Sequence, residues 1–200
     1  MNNPLRAFVI VIASTLAACA SSPVSLVTLP PAPSAAEANL QAGAITIRLR
    51  DVKLPGYLEA FPVVIGRADN SLVVAQNIEW AERLPDSVSR VLRDALSQRL
   101  GTSRVLVSGE RRLPDADLAV EFVALDPREG VLALDARWFV SCGASAAASR
   151  GGRIRLQVPL ERATAPSVAA ATTRALARFA DLLAAEIACA PSSDQIATVR

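Results

Sequence analysis

The chain has 200 residues, 52% apolar but only 4% aromatic, so one continuous core built from Leu, Val, Ile and Ala is within its reach. Its 21 basic and 19 acidic residues nearly balance, which argues against nucleic acid as a partner, because phosphate neutralisation needs clustered positive charge. Histidine is absent. That removes the usual near-neutral proton shuttle and the commonest metal ligand, so neither a metal, a cofactor nor a Ser-His-Asp triad is expected.

Residues 1–18 read as a signal peptide, with Arg6 as a weakly positive start and an apolar stretch over 7–16 that is too short to span a bilayer. Leu16-Ala17-Ala18-Cys19 is similar to the lipobox of bacterial lipoproteins. Cleavage is then expected before Cys19, whose thiol would carry the diacylglyceryl group and whose amine would carry an acyl chain such as palmitate. The competing reading is an ordinary secretory signal cut after Ala20. Ala20 in the second mature position points to the outer membrane, with the protein facing the periplasm. Residues 19–39 are rich in Pro, Ser and Ala and read as a tether.

Residues 40–190 read as a single α+β domain. In AITIRLRDV, Ile45, Ile47 and Leu49 alternate with Thr46, Arg48 and Arg50, a half-buried strand. After a break at Leu54-Pro55-Gly56 comes the run Phe61-Pro62-Val63-Val64-Ile65. A turn at Asp69-Asn70-Ser71 lets Leu72-Val73-Val74 return as a hairpin arm. Pro85-Asp86-Ser87 opens a helix whose Val88, Val91, Leu92, Ala95, Leu96 and Leu100 share one face, and Gly101 stands at its C-cap.

Residues 104–108 form a short strand. Two longer strands, 118–125 and 131–140, flank the loop Asp126-Pro127-Arg128-Glu129-Gly130, and a further strand covers 153–160. Residues 143–152 read as a flexible connection. A long helix over 166–189 places Val168, Leu176, Phe179, Leu182, Leu183 and Ile187 on its apolar face, and 191–200 reads as a loose tail. The expected architecture is an antiparallel or mixed sheet with two amphipathic helices packed on one face.

Cys142 and Cys189 are the thiols left once Cys19 is acylated. The periplasm is oxidising, which favours a bridge between them. Cys142 falls on the same side of its strand as Leu132, Leu134, Ala136, Trp138 and Val140, the face that the helices should cover, and Cys189 ends the last helix. Two unpaired cysteines, one buried and one exposed, are the alternative.

Leu54-Pro55-Gly56-Tyr57-Leu58, Val64-Ile65-Gly66-Arg67 and Trp80-Ala81-Glu82-Arg83-Leu84 together resemble the PqiC-type auxiliary lipoproteins of ABC-type and MCE-linked transporters. The family's tyrosine-rich start is replaced here by Leu26-Val27-Thr28-Leu29. The resemblance implies a non-enzymatic subunit that works with an MCE-domain protein in lipid or hydrophobic-compound transport and envelope integrity, and a homo-oligomeric ring would fit such a role. A lipoprotein that binds a hydrophobic ligand in its own cavity is the alternative; the lack of His and of a G-x-S-x-G elbow argues against a hydrolase.

Tyr57, Arg67, Trp80 and Glu82 are the candidate partner-binding residues. Three of them have a plainer reading: Trp80 as a staple packing its loop on the helix, Glu82 and Arg67 as solvated charges. Arg48, Arg50, Arg153 and Arg155 would make a basic stripe if their strands were neighbours.

Overall fold

The structure is a computed structural model that describes residues 22–34, 46–101, 104–106, 110–142 and 149–187. Its strands in chain order are β1 (Ser25–Val27), β2 (Ile47–Leu49), β3 (Pro62–Ala68), β4 (Ser71–Trp80), β5 (Val105–Leu106), β6 (Ala116–Arg128), β7 (Val131–Cys142) and β8 (Arg150–Pro159). Two helices join them: α1 (Leu84–Leu100) between β4 and β5, and α2 (Ala165–Glu186) after β8. The α+β class expected from the sequence is the one observed.

Strict alternation builds the larger sheet. Along β7, Leu132, Leu134, Ala136, Trp138, Val140 and Cys142 are all buried while their neighbours are not, as a strand covered on one face requires. The sheet order is β5-β2-β6-β7-β8, with β5, β2 and β6 parallel and β6, β7 and β8 an antiparallel meander. The expected five-residue loop between β6 and β7 is instead a two-residue turn, because β6 runs on to Arg128. Gly130 supplies the positive φ of 71° that such a turn needs. Gly151 and Gly152, read as part of a flexible connection, are strand residues of β8, while residues 143–148 lie outside the described residues.

A single sheet was expected, but the strands form two. β1, β4 and β3 make a second sheet, in which β3 and β4 are an antiparallel hairpin and β1 runs parallel to β4. β1 comes from the segment read as tether. The extended conformation that a Pro-rich stretch favours is also strand geometry, and here the chain uses it to pair. Leu29 is 2% exposed, and the Thr173 hydroxyl of α2 donates to the carbonyl of Pro30 at 3.0 Å. The folded part therefore starts well before residue 40.

α1 starts with Pro85 in its first turn and ends at Gly101, whose φ is 97°. It buries Val88, Val91, Leu92, Ala95, Leu96 and Leu100 as the spacing predicts. α2 packs on α1 and against β7 and β8. Buried Ala169, Ala175 and Ala180 let it approach closely, and Phe179 meets Phe122 of β6 with ring centroids 5.7 Å apart. Leu182, expected on the apolar face, is 48% exposed because that face follows Leu176, Phe179 and Leu183. Where the helices meet, nearly buried Arg99 donates to Asp181 at 2.5 Å and to the carbonyl of Ala95 at 2.7 Å.

The basic stripe does not form. β6 and β7 separate β2 from β8, and on β7 the Asp135 carboxylate takes hydrogen bonds from both Arg153 and Arg155.

Candidate functional site

The polar cluster with the deepest burial forms where the two sheets meet, and one irregularity in β6 creates it. From Ala116 to Phe122 the even-numbered side chains face the core. The register then shifts between Phe122 and Ala124. Beyond this bulge the core positions are Leu125 and Pro127, paired with Leu134 and Leu132 of β7. Asp126, which unbroken alternation would point into the core, pairs instead with Ala133 on the other face.

Asp126 does not reach solvent there, since only 2% of its side chain is exposed. Tyr57, on the short 3-10 turn Gly56–Leu58, donates its phenol proton to Asp126 Oδ1 at 2.5 Å. Arg67, near the end of β3, donates from Nη1 to Oδ2 at 2.6 Å. The guanidinium carbon also lies 5.3 Å from the centre of the Tyr57 ring, within cation–π range. Each carboxylate oxygen thus has its own donor, as a buried charge requires. Pro55 and the buried Leu58 hold the turn that aims Tyr57.

Burial, and then the hydrogen bond to Asp126 and its charge, push the Tyr57 phenol up to about 12, although the nearby guanidinium opposes this. Asp126 in turn holds the Arg67 guanidinium more firmly protonated than usual. A phenol kept neutral and a guanidinium kept charged exchange no protons near neutral pH. The cluster is a fixed polar joint between the β3–β4 hairpin and the larger sheet, not an acid–base pair.

A second cluster lies at the start of α1. Glu82 accepts a hydrogen bond from Arg90 at 2.6 Å, and this contact first, then Ser87, holds its carboxyl below the ordinary range. Trp80, the last residue of β4, is 4% exposed and sits in the core, backed by Val27 across the strand pair. Two of the four candidate partner-binding residues, Tyr57 and Arg67, therefore converge on one carboxylate, while Trp80 and Glu82 belong to the strand-to-helix junction.

Cys142 is buried at the end of β7, whereas Cys19 and Cys189 lie outside the described residues. Among the described residues no cluster of three or more His, Cys, Asp or Glu could hold a metal ion, and no helix is long and apolar enough to cross a membrane.

Asp126 and Arg90 were not singled out in the sequence. Asp126 left a trace there: the core positions change from even at Leu118, Val120 and Phe122 to odd at Leu125, which a bulge explains.

The family model for the ABC-type transport auxiliary lipoprotein component matches residues 28–184. Among solved structures, an uncharacterized protein aligns over 84% of this chain and 100% of its own, with a TM-score of 0.67 and 19% identity. A protein of Xanthomonas campestris assigned to the DUF330 family aligns over 80% of this chain and 91% of its own, with a TM-score of 0.59 and 15% identity. These two likenesses concern the fold. No curated protein matches the chain.

Proposed function

Because the chain belongs to the ABC-type transport auxiliary lipoprotein family, we propose that it is a non-enzymatic subunit of an MCE-linked ABC-type transport system, supporting lipid or hydrophobic-compound transport and envelope integrity. Cys19 carries the lipid anchor, and the folded part faces the periplasm from the outer membrane. The observation that carries this reading is the extent of the family match, which takes in β2 to β8, α1 and nearly all of α2.

Tyr57, Arg67, Trp80 and Glu82, the residues of the resembling motifs, all sit on the hairpin sheet or at its junctions, so that sheet is the part we assign to the partner. Trp80 supports it from within. Arg67 and Glu82, with 37% and 39% of their side chains exposed, offer surface, and Tyr57 is partly exposed beside Arg67. A bridge between Cys142 and Cys189 would tie the end of α2 to the end of β7.

Crosslinking in intact cells is expected to recover an MCE-domain protein with the wild-type chain and much less of it with Glu82→Arg. Recovery of no transport component, together with lipid co-purifying with the acyl-free domain, would favour the stand-alone carrier instead. Cys19→Ala should move the protein from the membrane fraction to the soluble periplasm.

A further inference from the structure

Few residues separate β1 from the proposed point of lipid attachment. Five peptide steps lead from Cys19 to Val24, and a fully extended chain covers about 3.6 Å per step, so Val24 lies within ~18 Å of the acylated residue. The interfacial zone of one leaflet is itself about 5–8 Å deep. Whatever path the intervening residues take, a lipidated Cys19 holds β1 and the sheet built on it beside the bilayer.

That part of the surface carries exposed apolar side chains beside a single acid, Glu79. Val24 is 52% exposed and Leu26 is 66% exposed. Leu26 pairs with Glu79 of β4, which pairs in turn with Pro62 of β3, so the three side chains share one face of the small sheet. Exposed apolar side chains gathered at one edge of a sheet, as Val24 and Leu26 are, mark a contact site more often than isolated ones do.

Charge narrows the kind of contact. β1 and β4 contain no basic residue, and the one base of β3, Arg67, is tied to Asp126. Electrostatic attraction to anionic lipid is therefore not what this face offers. Leu113 shows that exposure alone is not the criterion. It is 84% exposed, but it lies just before β6 of the larger sheet and belongs to no strand of the small one.

We propose that the outer face of the β1-β4-β3 sheet, led by Val24 and Leu26, rests on the lipid surface and inserts its apolar side chains among the headgroups, fixing the orientation of the whole domain on the membrane. This rests on the reading of Cys19 as the lipidated residue.

Depth-dependent fluorescence quenching tests it. The full-length lipidated protein would be reconstituted in phosphatidylcholine vesicles containing brominated acyl chains, with a reporter introduced as Leu26→Trp or, outside the small sheet, Leu113→Trp. The two natural tryptophans, 4% and 6% exposed, give a constant background. Leu26→Trp should be blue-shifted and quenched severalfold more than Leu113→Trp, equally at low and high salt. Val24→Trp, on the same surface, should behave like Leu26→Trp and guards against a probe that perturbs β1.

Three results would overturn the proposal while leaving the lipid anchor standing, provided the protein floats with the vesicles. They are no quenching at residues 24 and 26, equal quenching at residue 113, and quenching that appears only when anionic lipid is added. If the protein does not float with the vesicles, the assignment of Cys19 fails and the proposal falls with it.

Discussion

Tyr57 is the sole tyrosine of the chain, so its state can be read without interference. Spectroscopic titration of the folded protein should place tyrosinate formation near 12, about two units above the unfolded chain, where the phenol titrates at about 10. The linkage sign follows. A pKa raised on folding gives a contribution that is complete below pH 10 and is lost as pH rises towards 12. Tyr57→Phe removes the donor but leaves Asp126 buried with one oxygen unsatisfied. Hydrogen bonds to charged groups typically contribute about 2 kcal/mol, and that is the loss expected in urea unfolding, with the slope of the transition unchanged. A loss near zero would mean that water reaches Asp126 and replaces the phenol. At this scale the sequence was half legible. Tyr57 and Arg67 stood in recognisable motifs, but what they share did not, because Asp126 is 69 and 59 residues away from them and faces them only after the register of β6 has shifted.

Among the elements, β7 was the most legible, because alternation over its 12 residues leaves little freedom in which side faces the core. β1 was the least legible: three residues carry no usable period, and their Pro-rich surroundings suit a tether and a strand equally. Two tests belong to the β7–β8 pair. Gly152 lies under the ring of Trp138, where an added Cβ would stand 2.9 Å from Nε1 and 3.0 Å from Cε2. Gly152→Ala should therefore force the indole aside and destabilise the protein by about 1–3 kcal/mol in the same unfolding measurement. On the opposite face, hydrogen bonds first from Arg153 and then from Arg155 hold the Asp135 carboxyl at about 2. Being depressed, it contributes stability that is present above its unfolded value of 3.8 and is lost as pH falls towards 2. Asp135→Asn should therefore lower stability at neutral pH, flatten the profile in that acidic window and converge with the wild type at its acidic end.

For the whole molecule, the α+β class and the two helices were readable from periodicity, whereas the division into two sheets was not. Strand pairing is a non-local choice, and nothing in a short apolar run says which neighbour it will take. The proposed Cys142–Cys189 bridge belongs to this scale because it would close a loop containing β8 and α2. Alkylation and mass measurement of the mature, non-reduced protein should find no free thiol, and reduction should cost roughly 4 kcal/mol on the chain-entropy account. Two free thiols would remove the bridge. The irregularity in β6 also constrains how the chain can change length. Up to Phe122 one set of side chains serves the helices, and beyond it the opposite set does, so the strand carries a parity that its single extra residue sets. Losing the extra residue between Phe122 and Ala124 would restore unbroken alternation and keep both sets facing as they do, whereas losing one residue on either side with the bulge kept swaps inside for outside along part of the strand. Relatives that retain the Tyr57–Asp126–Arg67 joint should therefore either keep the bulge and differ in length across this stretch by even numbers or not at all, or lack the bulge and be one residue shorter.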